Sequence, residues 1–293
     1  MSRLEDLTLL AGVVETGSFS AAAARLGTTQ PRVSRAVARL EAQLGLVLVR
    51  RSPRRVAPTD AGRRLARTAQ RVLAELAEVE AELKGGGGMV GPLSLSAPPA
   101  VGRRLLAEPI AAFCSAHPGV RVDWALQAER VDLIGQEVDI AVRFGPLAET
   151  WRRARRLLTG AYHLFGAPGV ADHATFPEGL ATLPTIGLKA TILRNRWPFR
   201  SGTEVHWTAV EPILWADDAD ALIALAVAGA GVTMVPDFLV ARELAEGQLV
   251  RLTTPEAAMP AEVFAVTGPQ APERRAAALV DTLVEALRPS AAE

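Results

Sequence analysis

Leu4, Leu7, Leu10 and Val14 recur at helical spacing, and the run stops at Thr16-Gly17, which predicts a first helix. Ser18 is placed to cap a second, short helix carrying Phe19, Ala22, Ala23 and Leu26 and ending at Gly27. A third helix runs from Gln30-Pro31 to Leu44-Gly45, with proline at the first helical position, where its missing N–H costs nothing. Within it Val33, Val37, Leu40 and Leu44 form one stripe for burial, and Arg32, Arg35 and Arg39 occupy the other face. The apolar segments Leu46–Val49 and Val56–Pro58 then flank a basic, proline-containing tip, Arg50 to Arg55, and read as a hairpin.

A second kind of pattern follows. Thr59 can cap a long helix in which Leu65, Ala69, Val72, Leu76, Val79 and Leu83 step by four and three in alternation, a heptad seam suited to pairing with a second copy. The alternative is an amphipathic helix packed on its own domain. Lys84 and four glycines end this helix and supply a joint. From Gly91 onward short apolar runs alternate with helical patterns, as parallel strands and crossover helices do. Leu93–Ser96, Val120–Leu126 and Val138–Arg143 are expected strands, with helices over Pro99–Ala116 and near Val131–Gln136. After Leu157-Leu158 the chain is expected to cross into a second lobe containing Tyr162–Phe165, Leu214–Ala216, a helix Ala219–Ala228 and Val232–Val235. It returns near Pro236, and Val263–Val266 with a helix Glu273–Leu287 complete the first lobe.

Charge sharpens this organisation. The 293 residues balance 32 Lys and Arg against 32 Asp and Glu, yet residues 1–58 hold nine arginines and four acids. A basic head on an acidic body points to a polyanion as partner of the head alone. Two helices joined by a tight turn, the second bearing arginines outward, form a helix-turn-helix whose second helix enters the major groove. Gln30, Arg32, Ser34, Arg35 and Arg39 supply forks, amide and hydroxyl for phosphates and base edges, with Thr29 and Pro31 at the helix start and Arg54 and Arg55 in the wing. A solvated basic helix face is the alternative for the third helix taken by itself.

Other chemistry is thin. Histidines 117, 163, 173 and 206 lack metal spacing or a paired partner, and Cys114 reads as a core thiol. Asp217-Asp218-Ala219-Asp220 reads as the acidic complement of a helix dipole. The glycine run lacks the lysine and Ser/Thr of a phosphate loop. No cofactor or metal is expected, nor a signal peptide or membrane span, and the expected address is cytoplasmic.

The segments Gly17-Ser18-Phe19-Ser20-Ala21-Ala22-Ala23, Thr29-Gln30-Pro31, Val33-Ser34-Arg35, Leu40-Glu41, Leu44-Gly45 and Pro58-Thr59-Asp60-Ala61-Gly62 resemble the signature of LysR-type transcriptional regulators. Arg32 departs from it, standing where the family commonly has a small residue. Val138–Gly145 and Gly229-Ala230-Gly231-Val232 with Val235-Pro236 resemble the family's effector domain, a two-lobed fold like periplasmic solute-binding proteins. The resemblance implies an α/β protein: a winged helix-turn-helix (1–58), a linker and dimerisation helix (59–84), a hinge (85–90) and an effector domain (91–293). In the last, lobe I is 91–160 with 237–293 and lobe II is 161–236. It implies a bacterial, non-enzymatic regulator acting as a homodimer or homotetramer on an interrupted palindrome of double-stranded DNA, with RNA polymerase a further candidate partner. Ser96, Ala97, Pro98, Gln127, Arg143, Phe144, Asp217 and Asp218, at strand ends and a helix start, are the expected effector cleft, Arg143 facing the carboxylate of an anionic metabolite. Two other functions are carried as alternatives: an enzyme with a two-lobed catalytic domain tethered to DNA, and a constitutive repressor without effector.

Overall fold

The computed structural model describes residues 3–52, 55–83, 88–127, 138–147, 153–171, 180, 182–189, 193–201, 204–252, 259–268 and 274–288. The chain forms two compact units, residues 1–93 with 117–122, and residues 94–116 with 123–293.

The first unit begins with α1 (Arg3–Thr16), α2 (Phe19–Arg25) and α3 (Gln30–Leu44), then the hairpin β1 (Val49–Ser52) and β2 (Arg55–Pro58), then α4 (Asp60–Leu83). Ser18 caps α2, its hydroxyl accepting from the Ala21 N–H at 3.3 Å. Gly45 ends α3 at φ 66°, a left-handed exit that glycine adopts without penalty. Val33, Ala36, Val37 and Leu40 are sealed against Leu10, Phe19, Ala22 and Leu48. Leu44 does not complete the stripe; it is 38% exposed, because the last turn of α3 runs beyond this core. Glu41 turns back instead and accepts from the N–H groups of Leu48 and Val49 at 2.8 and 3.0 Å, holding the start of the hairpin to α3.

Thr59 joins the hairpin to α4. Its hydroxyl donates to the Val47 carbonyl at 2.7 Å and accepts from the Gly62 N–H at 3.1 Å, capping the helix. A Cβ at Gly62 would lie 2.0 Å from the Leu48 carbonyl oxygen, so only glycine permits this approach. The heptad seam divides into two faces. Leu65 packs on the head core and Ala69 is buried, whereas Val72, Leu76 and Val79 are 45%, 44% and 52% exposed. Leu83 ends the helix, its side chain outside the described residues.

Beyond α4 come β3 (Gly91–Ala97), α5 (Pro99–Val101), a π-helical turn (Gly102–Leu106), α6 (Ala107–Ala116), β4 (Val120–Leu126), β5 (Ile140–Phe144), β6 (Ala154–Gly166) and α7 (Pro168–Ala171). They are followed by β7 (Ile186–Leu188), β8 (Arg196–Ser201), β9 (Glu204–Ala209), β10 (Leu214–Ala216), α8 (Ala219–Val227) and β11 (Thr233–Pro236). A 3-10 turn (Asp237–Leu239), α9 (Ala241–Ala245), β12 (Val250–Arg251), β13 (Met259–Thr267) and α10 (Arg274–Ala286) complete the described elements. The expected helix near 131–136 lies outside the described residues.

The main sheet runs β11-β6-β13-β5-β3-β4, with β12 also on β6. The passage expected between two lobes after Leu158 falls in the middle of β6, a single 13-residue strand. Its early residues pair with β13, and Tyr162–Phe165 pair with β11. β13 carries the sheet onward to β5, Val263 opposite Phe144. Two long antiparallel strands, β6 and β13, therefore run through the second unit, their register shifting once between Val263 and Phe264. Arg196–Ser201 and Glu204–Ala209 form the β8–β9 hairpin, with Trp197 and Phe199 packed among Leu164, Leu193 and Met234.

Candidate nucleic-acid interface and ligand cavity

The outer face of α3 is built by what α1 does to it. Three of the four acids in residues 1–58 lie on α1, and each pairs with an arginine of α2 or α3. Glu15 holds Arg25 at 2.6 Å, Glu5 holds Arg32, and Asp6 holds Arg39 at 2.5 Å. The hydrogen bond from Arg25 holds the Glu15 carboxyl below its ordinary pKa. The fourth acid is Glu41, committed to backbone N–H groups. Thr29, Gln30, Pro31 and Arg35 stand exposed at the start of α3, and Ser34 is half-buried. Arg35 donates from Nε to the Pro31 carbonyl at 3.3 Å and makes no ion pair with any described residue. Arg39 is thus turned inward to α1 rather than outward, and Arg32 is shared with Glu5. In the wing, Arg54 and the Arg55 side chain lie outside the described residues.

The second unit encloses a cavity of about 530 Å³. Of the expected cleft residues, Pro98, Arg143, Phe144, Asp217 and Asp218 line it. Ser96 does not; it is fully buried behind Arg143, its hydroxyl accepting from Nη2 at 2.9 Å. Ala97 and Gln127 are also outside the lining, joined by a backbone hydrogen bond of 2.9 Å. Arg143 is 6% exposed, and burial pulls its pKa down. Burial pushes the Tyr162 phenol on the cavity wall up to about 12, so it is a neutral O–H at pH 7.

Asp218 caps α8, accepting from the Ala221 N–H at 3.0 Å, and its other oxygen meets Arg103 at 2.7 Å. Asp220 pairs with both Arg103 and Arg104, and Arg104 continues to Glu243 at 2.8 Å. The acids at the start of α8 are therefore bound to two arginines of the π-helical turn as well as complementing a helix dipole. Among the described residues no group of three or more His, Cys, Asp or Glu is placed to hold a metal, and no single helix is long and apolar enough to cross a membrane.

Residues 4–63 match the family model for the bacterial regulatory helix-turn-helix protein, lysR family, and residues 86–288 match that for the LysR substrate binding domain. The chain belongs to the LysR family of transcriptional regulators. Its relatives include the HTH-type transcriptional regulator CrgA of Neisseria meningitidis serogroup B, 33% identical over 252 residues, 85% of this chain and 84% of that one. PtxR of Pseudomonas aeruginosa is 34% identical over 257 residues, 85% of this chain and 81% of that one. The solved structure of Neisseria meningitidis CrgA superposes with TM-score 0.58 at 31% identity over 97% of this chain and 98% of that one. Full-length LysG of Corynebacterium glutamicum, with bound effector Arg, shares the fold at TM-score 0.63 and 21% identity, covering 99% of this chain and 100% of that one.

This LysR-type regulator also places in the cavity residues that sequence reasoning passed over, chiefly Tyr162, Thr233 and Met234, together with Trp197. One signal was present: Thr233 is the only hydroxyl in the apolar run Val232 to Val235.

Proposed function

We propose that this regulator binds an interrupted palindrome as a dimer or a dimer of dimers, and that a small anion in the cavity changes how its subunits are arranged. Gln30, Ser34 and Arg35 read the major groove from the start of α3, with Thr29 and Pro31 beside them. Arg32 reaches DNA by exchanging Glu5 for phosphate, and Arg54 and Arg55 extend the contact from the wing. The observation that carries the reading is the treatment of charge in the head: every acid is engaged within the fold, while Arg35 faces outward from α3. Val72, Leu76 and Val79 supply an apolar seam for the partner copy. The cavity, with a buried arginine on its wall, takes the effector, and the ligand acts by binding one assembly state better than another. Such a protein works where the DNA is, in the bacterial cytoplasm, and RNA polymerase is its expected further partner.

The test is recovery and sequencing of the genomic fragments this protein retains, with and without small anions. Fragments sharing a two-fold site, shifted in occupancy by an anion, are the expected result. Retention without sequence preference, or an Arg143→Gln variant with unaltered ligand response, would reject the reading.

A further inference from the structure

Two polar groups on the cavity wall are buried without a full set of partners, and they specify what the cavity accepts. Arginine carries five N–H donors. In Arg143 the Nη atoms donate to the Val142 carbonyl at 2.6 Å, the Ser96 carbonyl at 3.3 Å and the Ser96 hydroxyl at 2.9 Å. The Nε–H meets no acceptor among the described residues. None of these partners is charged, so the guanidinium sits in a desolvated wall with only neutral oxygens around it, and arginine does not shed its proton to escape. An anion, with two oxygens for a forked donor, is the group that compensates such a site.

The second group is Thr233, fully buried, whose hydroxyl also lacks a partner among the described residues. It borders the same cavity. Arg143 lies on β5 and Thr233 on β11, with β6 and β13 between them in the sheet. Through Phe264, Arg143 stands level with Arg156 of β6, whereas Thr233 stands level with Phe165, so the two are offset along β6 as well as across the sheet and their side chains address opposite ends of an occupant rather than one group. Between them the wall is apolar and aromatic: Phe144, Leu188, Leu193, Trp197 and Met234. Asp217 also lines the cavity, an exposed carboxylate that makes no ion pair with any described residue and so disfavours a second negative charge, whereas Asp218 is already paired with Arg103.

Resting on the proposal that this cavity receives the effector, we infer that the ligand is an aromatic monocarboxylate carrying a neutral hydrogen-bonding group at the end remote from the acid. Arg143 binds the carboxylate, the apolar wall takes the ring, and Thr233 reads the distal hydroxyl or carbonyl. Thr233 is then a specificity residue, because a buried hydroxyl left unpaired discriminates strongly against a ligand that lacks its partner.

Calorimetric titration of the full chain tests this with five probes: 3-(4-hydroxyphenyl)propanoate, 3-phenylpropanoate, the neutral alcohol 3-(4-hydroxyphenyl)propan-1-ol, succinate and inorganic phosphate. The hydroxylated acid is expected to bind best, with loss of the ring hydroxyl costing about tenfold and loss of the carboxylate about a hundredfold. Thr233→Val should erase the difference between the two aromatic acids without weakening 3-phenylpropanoate. It should also raise the Tm of the unliganded protein, since a buried unpaired hydroxyl is removed. Equal weakening of both acids by Thr233→Val would overturn the assignment, as would no saturable binding of either acid at millimolar concentration. Succinate or phosphate binding as tightly as the aromatic acids, and lost in Arg143→Gln, would overturn the ligand class while preserving the anion-effector reading. That broader reading fails separately, when no anion shows binding that depends on Arg143.

Discussion

Asp6, buried at 4% exposure on α1, accepts two hydrogen bonds from one guanidinium, that of Arg39 on α3: Nε to Oδ2 at 3.0 Å and Nη2 to Oδ1 at 2.5 Å. The pairing raises the pKa of Arg39 through that hydrogen bond, and it ties α3 to α1. Arg39 is a strut of the head, although its position in sequence places it on the basic face of the helix.

The strut and the DNA contact are separable by measurement. Asp6→Ala leaves Arg39 without its buried acceptor and should lower the Tm of the head by roughly 5 °C. Arg39→Ala should do the same, and in both variants the salt dependence of DNA binding is preserved. Arg35→Ala should leave the Tm unchanged, weaken operator binding about tenfold and reduce the salt slope by about one. Thermal denaturation beside anisotropy titrations at several salt concentrations reads both quantities. An Arg35 variant that melts early but binds normally would reverse the assignment.

Glu5 has the opposite influence. Its pair with Arg32 is half-exposed on both sides and contributes little to stability. Glu5→Gln should therefore keep the Tm and tighten DNA binding about threefold, as a cation is released and a repelling acid removed from beside the phosphates. Unaltered affinity would show that Arg32 stays clear of DNA.

The exposed apolar stripe of α4 predicts an assembly defect without a folding defect. Replacing Val72, Leu76 and Val79 together by serine removes no core contact of the head, since all three face solvent in the single chain. Sedimentation should show dissociation to monomers at micromolar concentration, with the Tm of the head unit retained and operator affinity lost. A triple variant that sediments as the parent does would place the dimer contact elsewhere.

The acid response should trace to the pairs at the π-helical turn. Burial pushes the Asp220 carboxyl up, but hydrogen bonds from Arg104 and Arg103 more than reverse this and hold it below its ordinary value. A carboxyl depressed in the folded state lends stability that is complete above its unfolded value near pH 4 and is lost as pH falls through the folded one. The Tm should fall by a few degrees from this source as pH drops below about 4. Arg104→Ala should melt lower at pH 7 and show a shallower decline below pH 4. Parallel curves for the two proteins would exclude Asp220 as the origin.

The head was legible because its information is local. The steps between Val33, Val37 and Leu40, the cap at Ser18 and the exit at Gly45 are each specified within a few residues. Leu44 failed because the pattern continues one turn past the core, and no local cue marks where a core ends. The inward turn of Arg39 was hidden for another reason: its partner lies 33 residues away, and a charge count cannot say which arginines a fold neutralises itself. The cavity was the hardest part. Arg143, Tyr162, Trp197 and Thr233 come from four strands, and the strand holding Trp197 is interrupted by Pro198 and flanked by arginines, so it reads as a loop until β9 pairs with it.

The junction at Thr59 and Gly62 leaves no slack between wing and rod. With the Thr59 hydroxyl tied to the Val47 carbonyl and Gly62 pressed on Leu48, the first turn of α4 and the base of the hairpin move as one body. In a dimer joined along α4, the place where the seam engages then acts as a ruler for the operator. Sliding the contact by one heptad displaces a head by about 10 Å along the helix axis, roughly three base-pair steps. In such a dimer the distance between half-sites would be set by where along α4 the two copies meet.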